Sequence, residues 1–317
     1  MNILFAGHQE RGSNCLRALV ASEHHVVGVL AHPSMEHAPS NISVAETALQ
    51  LERPLFQPTD VNDPALLASL RALKPDVIVL AGYSQIVRPP FLELTPHGCI
   101  NLHGGRLPQY RGSSPMHWAL INGETTFTIS IVQADAGVDT GDVLQERTFP
   151  IAITDTIVDL QRTANQAFPE MLLDAIRQIQ QGTARARHQD AADAAYYPLR
   201  FPNDGLILWD LFTAEQIHNR IRALTSPYPG AFTFFNGRRV TLWRSALAQQ
   251  RRYGEPGRVY LKNAQGLLVC ASDRCLWIQH AVFDDRQGEV ADGISRYEKF
   301  ATLRDAAVAN VVAQAWR

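Results

Sequence analysis

Short apolar runs alternate with amphipathic stretches along residues 1–150. This alternation is typical of βαβ units, so it predicts a mostly parallel sheet with helices packed against it. The predicted strands are Asn2–Ala6, Val26–Leu30, Asp76–Leu80 and a run around Ile100, and the predicted helices are Ser13–Ser22, Val44–Glu52 and Asp63–Leu73. Two later runs, Thr128–Val132 and Val143–Phe149, alternate strictly between apolar and polar positions, which predicts antiparallel strands at the edge of the sheet.

A long helical pattern follows and ends at a glycine. Apolar positions recur at helical spacing from Thr154 to Gly182, and Pro169 within this stretch predicts a kink or a restart. The segment Thr183–Asp193 is rich in Ala, Gln, Arg and His and has no apolar periodicity. We therefore predict that residues 183–203 form a linker between two domains.

The pattern changes beyond the predicted linker. One helix, Thr213–Leu224, precedes a series of short β-type runs separated by turn residues: Ala231–Phe235, Val240–Trp243, Gly257–Leu261, Leu267–Cys270 and Cys275–Gln279. Asn236 and Gly237 stand between the first two runs, which is a strong signal for a β-hairpin with a two-residue turn. The chain is thus predicted to form an α/β, Rossmann-like domain over residues 1–182 and a smaller β-rich, OB-like domain over residues 204–317.

Length and charge add limits to this picture. With 317 residues, 46% of them hydrophobic, the chain is long enough for two domains that each bury a core. The formal net charge of -2 argues against a protein that binds nucleic acid through bulk charge. Residues 204–317 are nevertheless mildly basic, with 15 Lys and Arg against 11 Asp and Glu.

The cysteines and the N-terminus indicate the compartment. Cys15, Cys99, Cys270 and Cys275 show no paired spacing, so we expect free thiols in a reducing environment. The N-terminal apolar run is too short for a secretory signal, and no later run reaches the ~18 apolar residues of a membrane span. A cytoplasmic protein without a membrane partner is expected.

Three polar side chains form the strongest candidate for chemistry. Asn101 and His103 stand two residues apart at the end of a predicted strand, so both face the same side. Glycines and a proline follow at once, which places the pair beside a loop beyond the carboxyl end of the strand. Asp139 lies in a second loop of the same character. A carboxamide, an imidazole and a carboxylate suit acyl transfer, because they can hold an oxyanion, move a proton and orient the imidazole.

Other interpretations of these residues remain open from their types and spacing alone. An Asn-x-His pair is common as simple polarity at a strand end, without any catalytic role. A metal site formed by His97, His103, His117 and Asp139 is a weaker alternative, because these residues lack ligand spacing. No Gly-x-Ser-x-Gly sequence is present, so a covalent acyl-enzyme is not expected.

Two longer runs resemble the signature of the 10-formyltetrahydrofolate-dependent formyltransferases. They are Ile100–Glu124, which contains Asn-Leu-His-Gly-Gly-Arg-Leu-Pro-Gln-Tyr-Arg-Gly, and Asp135–Asp142. Beyond the catalytic domain, Trp209, Ile221–Ala223 and Ser226–Phe232 resemble the C-terminal domain of methionyl-tRNA formyltransferases and sugar N-formyltransferases. The resemblance therefore covers nearly the whole chain.

The resemblance implies a role for each of the three polar residues. Asn101, His103 and Asp139 match the catalytic triad of the family. Asn101 would hold the formyl oxygen, while His103, supported by Asp139, would stabilise the tetrahedral intermediate and pass protons to the departing nitrogen. The pterin of the co-substrate 10-formyltetrahydrofolate would bind main-chain groups of two loops, whose residues are Gln85, Ile86, Val87, Asp135, Ala136, Gly137 and Val138. No metal is implied.

The chain departs from the family pattern at two positions. Arg106 stands in a Gly-Arg-Leu-Pro sequence where the family usually has Ser-Leu-Leu-Pro, and Ser113 stands where many sugar formyltransferases have arginine. Arg106 would bring a charge to the mouth of the pocket and contact the folate tail or an anionic substrate. Arg106, Tyr110 and His8 are the candidates for contacts with the acceptor.

The acceptor of the formyl group is predicted by comparison with the branches of the family. Gly7–Gly12 replaces the Gly-Thr-Pro start of methionyl-tRNA formyltransferases, and His32–Asn41 is short and has no Lys or Arg to neutralise phosphates. Arg111–Trp118 and Tyr228–Phe234 look closer to the enzyme that formylates UDP-4-amino-4-deoxy-arabinose. A nucleotide-linked amino sugar is therefore the predicted partner.

Other acceptors and activities stay open. Arg238, Arg239, Arg251 and Arg252 keep methionyl-tRNA as the alternative acceptor. An amino acid or peptide intermediate, a hydrolase that deformylates 10-formyltetrahydrofolate, and a non-catalytic binding module are further alternatives. A homodimer is compatible with the sequence.

Overall fold

A computed structural model describes residues 1–33, 43–285, 288 and 290–305. The chain divides into two compact units. The first comprises residues 1–116, 126–150 and 159–199, and the second comprises residues 117–125, 151–158 and 200 onward. Each unit therefore gathers more than one segment of the chain.

The first unit is built on a seven-stranded sheet in the order β3-β2-β1-β4-β5-β7-β8. The elements up to residue 180 are β1 (Asn2–Gly7), α1 (Gln9–Val20), β2 (His25–Ala31), α2 (Val44–Gln50), β3 (Leu55–Phe56), α3 (Pro64–Ala72), β4 (Val77–Ala81), α4 (Pro89–Leu92), β5 (Cys99–His103), β6 (Arg111–Gly112), α5 (Pro115–Ile121), β7 (Thr126–Gln133), β8 (Val143–Pro150) and α6 (Ile157–Gln180). Strands β1 to β5 pair in parallel, whereas β7 and β8 run antiparallel. The predicted Rossmann-like, mostly parallel sheet is confirmed.

Local sequence explains where several of these elements begin. Asp63 caps α3, since its Oδ1 accepts hydrogen bonds from the backbone N–H groups of Ala65 and Leu66, and Pro64 occupies the first turn. Helix α1 begins at Gln9, before the predicted start at Ser13. The missing side chain of Gly12 allows this, because a Cβ there would lie 3.1 Å from the Cα of Gly7 at the end of β1.

The second unit contains an antiparallel five-stranded sheet in the order β10-β11-β14-β13-β12. Its elements after residue 200 are α7 (Ala214–Leu224), β10 (Ala231–Phe235), β11 (Arg238–Leu247), β12 (Val259–Asn263), β13 (Gly266–Cys270), β14 (Cys275–Phe283) and α8 (Val290–Gly293). Asn236 and Gly237 both adopt positive φ, 50° and 76°, as the tight turn between β10 and β11 requires. The predicted β-rich second domain and its hairpin are confirmed.

The four cysteines lie in two different settings in the structure. Cys270 and Cys275 are direct partners across the hairpin of β13 and β14. Strand register brings the two residues together, and their spacing in the sequence did not signal it. Cys15 and Cys99 are free and buried.

Residues 183–203, predicted as a linker, include ordered structure that the sequence pattern did not show. They contain a short 3-10 turn, Ala191–Asp193, and a strand β9 (Tyr196–Tyr197) that pairs in parallel with β6. Within the part of the chain that the structure describes, none of the helices combines the length and apolar character that a membrane span requires.

Candidate active site

Strand β5 carries two polar side chains in an otherwise apolar run. Asn101 lies between Leu80 of β4 and Val132 of β7 in the sheet. His103 follows two residues later and is 5% exposed. Side chains of a strand alternate between its two faces, so Asn101 and His103 share one face.

Asp139 lies in the loop between β7 and β8, with a positive φ of 53°. Its Oδ1 is 3.3 Å from Nδ2 of Asn101 and 3.5 Å from Nδ1 of His103. Its Oδ2 accepts a hydrogen bond from the backbone N–H of Gly112 at 2.9 Å. The three polar residues singled out in the sequence therefore meet at one carboxylate.

The contacts of the His103 imidazole define the protons that it can carry. Nε2 is 2.6 Å from the carbonyl oxygen of Tyr110, which only accepts hydrogen bonds, so Nε2 carries a proton. Nδ1 faces the carboxylate of Asp139, which also only accepts when ionised. The carboxylate is therefore placed where it can accept a proton from Nδ1 and hold the orientation of the ring.

A buried glutamine, Gln189, holds the loop of Asp139 through hydrogen bonds to its main chain. Nε2 of Gln189 donates to the carbonyl oxygens of Asp139 at 2.8 Å and Gly141 at 2.6 Å. Its Oε1 accepts a hydrogen bond from Nε of Arg111 at 3.0 Å, and Arg111 in turn bonds the hydroxyl of Tyr196 at 2.9 Å. The carboxamide of Gln189 thus links the loop of Asp139 to the paired strands β6 and β9.

Sequence reasoning missed Gln189 because it lies in the segment predicted as a linker. Gln189 is 2% exposed, but its burial comes from partners far away in the sequence. A lone polar residue in a polar segment gives no local sign of such burial.

The glycine pair after His103 leaves room for the imidazole. A Cβ added to Gly105 would lie 2.9 Å from Nε2 of His103 and 2.7 Å from Cβ of Pro115. The carbonyl oxygen of Gly105 accepts a hydrogen bond at 2.8 Å from the hydroxyl of Ser130, which is fully buried on β7. This part of the loop therefore tolerates no side chain and is held to the neighbouring strand.

The first loop predicted to bind the pterin follows β4 and is fixed by a preceding turn. The side chain of Gln85 accepts a hydrogen bond from the N–H of Val61 at 2.8 Å and donates to the carbonyl of Pro58 at 2.9 Å. Nδ2 of Asn62 donates to the carbonyl oxygen of Ile86 at 2.9 Å. The side chain of Gln85 is thus used to shape the loop, and Asn62 is a further support that the sequence did not reveal.

The second predicted pterin loop is closed by its own aspartate. Oδ1 of Asp135 accepts hydrogen bonds from the N–H of Gly137 at 3.0 Å and from the hydroxyl of Thr140 at 2.6 Å. Any Cβ at Gly137 would overlap Oγ1 of Thr140. Ala136, between them, is exposed.

Each of these two loops presents an exposed apolar side chain. Ile86 is 79% exposed and Val138 is 58% exposed. Val87 and Ala134 pack against the same core cluster beside β4 and β5, so the two loops reach one region of the first unit. Two exposed apolar groups beside main-chain donors and acceptors are suited to a flat, polar-edged ring.

His8 lines a polar cavity of the first unit. This cavity of ≈ 230 Å³ is lined by His8, Gln9, Glu10, Arg11, Gly82, Gln161 and Asn165. Oε2 of Glu10 accepts a hydrogen bond from Nδ2 of Asn165 at 3.1 Å. Nη1 of Arg11 donates to the carbonyl oxygen of Leu102 at 3.4 Å, so the cavity borders the strand that carries Asn101 and His103.

A row of aromatic rings extends from His8. The ring of His8 packs edge-on against His32, with centroids 4.8 Å apart, and His32 stacks on Tyr83 at 4.6 Å. Burial lowers the pKa of His8, and burial together with His8 lowers the pKa of His32. Burial also raises the pKa of Tyr83 to about 12. These shifts favour the uncharged form of all three rings. Residues 34–42, most of the short His32–Asn41 segment, lie outside the described residues.

The other two candidate acceptor contacts are placed differently from each other. Arg106 is exposed, its carbonyl oxygen accepts a hydrogen bond from the N–H of Tyr110 at 2.8 Å, and no described carboxylate forms an ion pair with it. The ring of Tyr110 stacks on Tyr197 with centroids 4.9 Å apart. The main-chain carbonyl oxygen of Tyr110 contacts Nε2 of His103.

Neither free cysteine has the character of a nucleophile. Burial raises the pKa of the Cys15 thiol to about 12 and the pKa of the Cys99 thiol still further. Thiols of this kind are not ionised at neutral pH. Among the described residues, no group of three or more His, Cys, Asp or Glu side chains is arranged to hold a metal ion.

Family models account for both parts of the chain. Residues 1–176 match the model described as formyl transferase, and residues 201–292 match that described as formyl transferase, C-terminal domain. The chain belongs to the formyltransferase family. It is an enzyme that transfers a formyl group and uses 10-formyltetrahydrofolate as the co-substrate.

Individual relatives and solved structures resemble the chain to different degrees. It is 34% identical to the methionyl-tRNA formyltransferase of Desulfotalea psychrophila, over 88% of this chain and 87% of that protein. An N-formyltransferase from Helicobacter canadensis, solved with folinic acid and dTDP-3-aminofucose, has a TM-score of 0.70 at 19% identity, over 87% of this chain and 98% of that one. HypX from Aquifex aeolicus has a TM-score of 0.63 at 19% identity over 90% of this chain, which spans only 44% of that protein. The two structural similarities show the fold alone.

Proposed function

We propose that this formyltransferase uses Asn101, His103 and Asp139 to transfer the formyl group of 10-formyltetrahydrofolate to a primary amine, with methionyl-tRNA as the first candidate acceptor. The observation that carries the chemistry is the Asp139 carboxylate, which contacts both other residues through one oxygen. The choice of acceptor rests on relatives named methionyl-tRNA formyltransferase, which are 31–34% identical to this chain over both domains.

The proposed reaction forms one bond from nitrogen to carbon and breaks another. The acceptor nitrogen attacks the formyl carbon, the bond from that carbon to N10 of the folate breaks, and the proton lost by the amine goes to N10. Nδ2 of Asn101 uses one N–H for Asp139, which leaves the second N–H to bind the formyl oxygen as it becomes negative. His103 shares a strand face with Asn101 and, when protonated and oriented by Asp139, would stabilise the same negative charge through its own positive charge.

The two loops on which Ile86 and Val138 are exposed supply the proposed folate site. Ile86 and Val138 would cover the faces of the pterin, while main-chain groups of the loops bind its polar edges. The hydrogen bonds of Gln85, Asn62 and Asp135 support this proposal, because they fix the loops within the protein without using a ligand. A site held in this way needs little reorganisation when the folate binds.

The arginines of the second unit give limited support to methionyl-tRNA as the acceptor. Arg251 and Arg252 are exposed and pair with no described carboxylate, so they can neutralise phosphates. Arg238 and Arg239, in contrast, form ion pairs with Asp285 and Asp284. Only part of the basic excess of this unit is therefore free to bind RNA.

A nucleotide-linked amino sugar is the second candidate acceptor, and the cavity beside β1 favours it. Glu10 and Arg11 line this cavity next to β5, where a small polar substrate can be held by opposite charges. The carboxylate of Glu10 would bind the sugar hydroxyls or the incoming amine. The paired state of Arg238 and Arg239 also favours a small acceptor over RNA.

A kinetic comparison of the candidate acceptors separates them. The full-length enzyme is given 10-formyltetrahydrofolate with methionyl-tRNA, or with UDP-, dTDP- and GDP-linked amino sugars, and kcat/KM is measured for each. Formylation of tRNA with a kcat/KM above that of every sugar is the expected result. Turnover of a sugar alone would overturn the first candidate and establish the second.

The catalytic assignment is tested in the same assay by Asn101→Ala. Loss of one oxyanion donor lowers kcat by about 10²–10³-fold. Asn122→Ala is the matched control, because Asn122 lies in the connection between α5 and β7, outside the proposed site. Full activity of Asn101→Ala with every acceptor would reject the proposed chemistry.

A further inference from the structure

The second unit has a cavity that the proposed formyl transfer does not use. It has a volume of ≈ 540 Å³ and is lined by Thr156, Thr225, Ser226, Trp243, Arg244, Gln279 and His280. All of these residues belong to the second unit. The volume falls within the ~300–1,000 Å³ that is usual for small-molecule sites.

The backbone beside this cavity is shaped so that neighbouring residues face one space. Consecutive side chains of a regular strand point to opposite faces. Trp243 and Arg244 are consecutive on β11 but both line the cavity, and so do Gln279 and His280 on β14. The pairing of the two strands shifts register on both sides of Arg244, which lies opposite His280. Irregularities of this kind redirect side chains and are frequent at binding sites.

The indole of Trp243 is held along one edge. A Cβ at Gly230 would lie 3.1 Å from Cζ3 and 3.2 Å from Cη2 of Trp243, so the ring edge packs directly on the glycine backbone. The hydroxyl of Thr225 donates to the carbonyl oxygen of Trp243 at 3.0 Å. The half-buried ring is thereby fixed while it still borders the cavity.

The side chains that line the cavity are suited to a ligand that is both aromatic and negatively charged. Arg244 is exposed and forms no ion pair with a described carboxylate, and no acidic side chain is among the lining residues. An indole face binds a flat heteroaromatic base by stacking, and a guanidinium binds phosphate through paired N–H groups. His280 and the hydroxyl of Ser226 add further donors next to Arg244 and Trp243.

We propose that this cavity binds a free nucleotide, with the base against Trp243 and the phosphate at Arg244 and His280. The proposal does not depend on which amine is formylated, since no catalytic or folate-binding residue takes part. It assigns the second unit a ligand of its own, whose binding can be measured in the absence of folate and acceptor.

Calorimetric titration of the full-length enzyme with UMP, GMP, uridine and inorganic phosphate tests the proposal. Nucleotide affinity should fall about tenfold in Arg244→Gln, which loses a charged phosphate contact, and about tenfold in Trp243→Leu, which loses stacking. Arg71→Gln, which removes an exposed arginine on α3 of the first unit, should bind as the wild type does. Uridine and inorganic phosphate should each bind more weakly than UMP by at least about tenfold, because each supplies half of the contacts.

Formylation assays of the same variants keep this result separate from the catalytic proposal. Trp243→Leu and Arg244→Gln should keep the wild-type rate of formyl transfer at saturating substrates, and circular dichroism should show that both fold. If nucleotide affinity is unchanged in both variants, the nucleotide binds elsewhere and the proposal is overturned. The proposal is also overturned if the wild-type enzyme binds no mononucleotide. It is overturned as well if the enzyme binds only tRNA or a single-stranded oligoribonucleotide and Trp243→Leu weakens that binding.

Discussion

Nδ1 of His103 lies 3.5 Å from Oδ1 of Asp139 in a position where only 12% of the carboxylate side chain is exposed. The second carboxylate oxygen is occupied by the N–H of Gly112, so Asp139 cannot turn away from the imidazole without breaking that bond. A buried charge that is held on both oxygens interacts strongly with a neighbouring imidazolium, because little solvent screens the pair. Charge on Asp139, and not only its shape, should therefore determine activity.

Asp139→Asn tests the need for charge with almost no change in size. The neutral carboxamide cannot stabilise an imidazolium, so we expect kcat to fall by about 10²–10⁴-fold, with the KM for 10-formyltetrahydrofolate changed far less. Asp142→Asn is the control, since that carboxylate contacts His188 near the surface at 2.9 Å. A kcat for Asp139→Asn within a few-fold of the control would contradict the proposed role of the charge.

Adjacent glycines provide a matched pair for testing how tightly His103 is held. Gly105→Ala would place a Cβ 2.9 Å from Nε2 of His103, whereas Gly104→Ala meets first the flexible Cε of Met116 at 3.1 Å. We expect Gly105→Ala to displace the imidazole and to lower kcat by about tenfold or more, since small misplacements of catalytic groups are costly. Gly104→Ala should keep most of the activity. The idea fails if steady-state kinetics show equal kcat for the two variants while both proteins remain folded.

Local signals explain which parts of the fold and site were predictable. Asp63 followed by Pro64 marks a helix start, and Asn236 followed by Gly237 marks a hairpin, because each acts through its own backbone geometry. The shared face of Asn101 and His103 follows in the same way from the alternation of a strand. None of these predictions needs a residue far away in the sequence.

Long-range contacts explain what the sequence pattern could not give. Gln189 is separated from Asp139 by 50 residues and from Arg111 by 78, so nothing next to it indicates burial. The pairing of Cys270 with Cys275 depends on the register of a hairpin that the spacing of cysteines does not encode. We expect the acceptor to be the least predictable feature, since the residues proposed to contact it lie outside β5, the strand that carries Asn101 and His103.

Gln189→Ala tests whether the buried carboxamide positions Asp139. The substitution leaves two carbonyl groups and Nε of Arg111 without their partner, which should lower the free energy of unfolding by about 1–3 kcal/mol. Because the Asp139 loop loses its support, we also expect kcat to fall while the KM for folate changes little. Rescue of kcat by Gln189→Asn is not expected, since the shorter side chain cannot span the same partners.

The control for this variant is Gln181→Ala, which truncates an exposed glutamine after α6. Thermal unfolding and steady-state kinetics are measured for both variants. Wild-type kcat in Gln189→Ala, together with reduced stability, would show that Gln189 has a purely structural role and would refute its positioning of Asp139.

His117 gives the second unit a defined dependence of stability on pH. Burial, and secondarily the charge of Arg200, lower the pKa of His117 from 6.5 to about 4. Its ring packs edge-on against Tyr228 with centroids 4.4 Å apart. Between pH 6.5 and 4 the unfolded chain binds a proton at this position that the folded protein does not, so the free energy of unfolding must decrease as the pH falls through this window.

The loss attributable to His117 is on the order of 3 kcal/mol at pH 4 relative to pH 7. His117→Gln removes the titrating group, so its free energy of unfolding should fall less steeply than that of the wild type between pH 6.5 and 4. His25→Gln, which replaces an exposed histidine at the start of β2, is the control. Urea denaturation at several pH values measures the difference, and parallel curves for the wild type and His117→Gln would show that the buried imidazole does not carry this pH dependence.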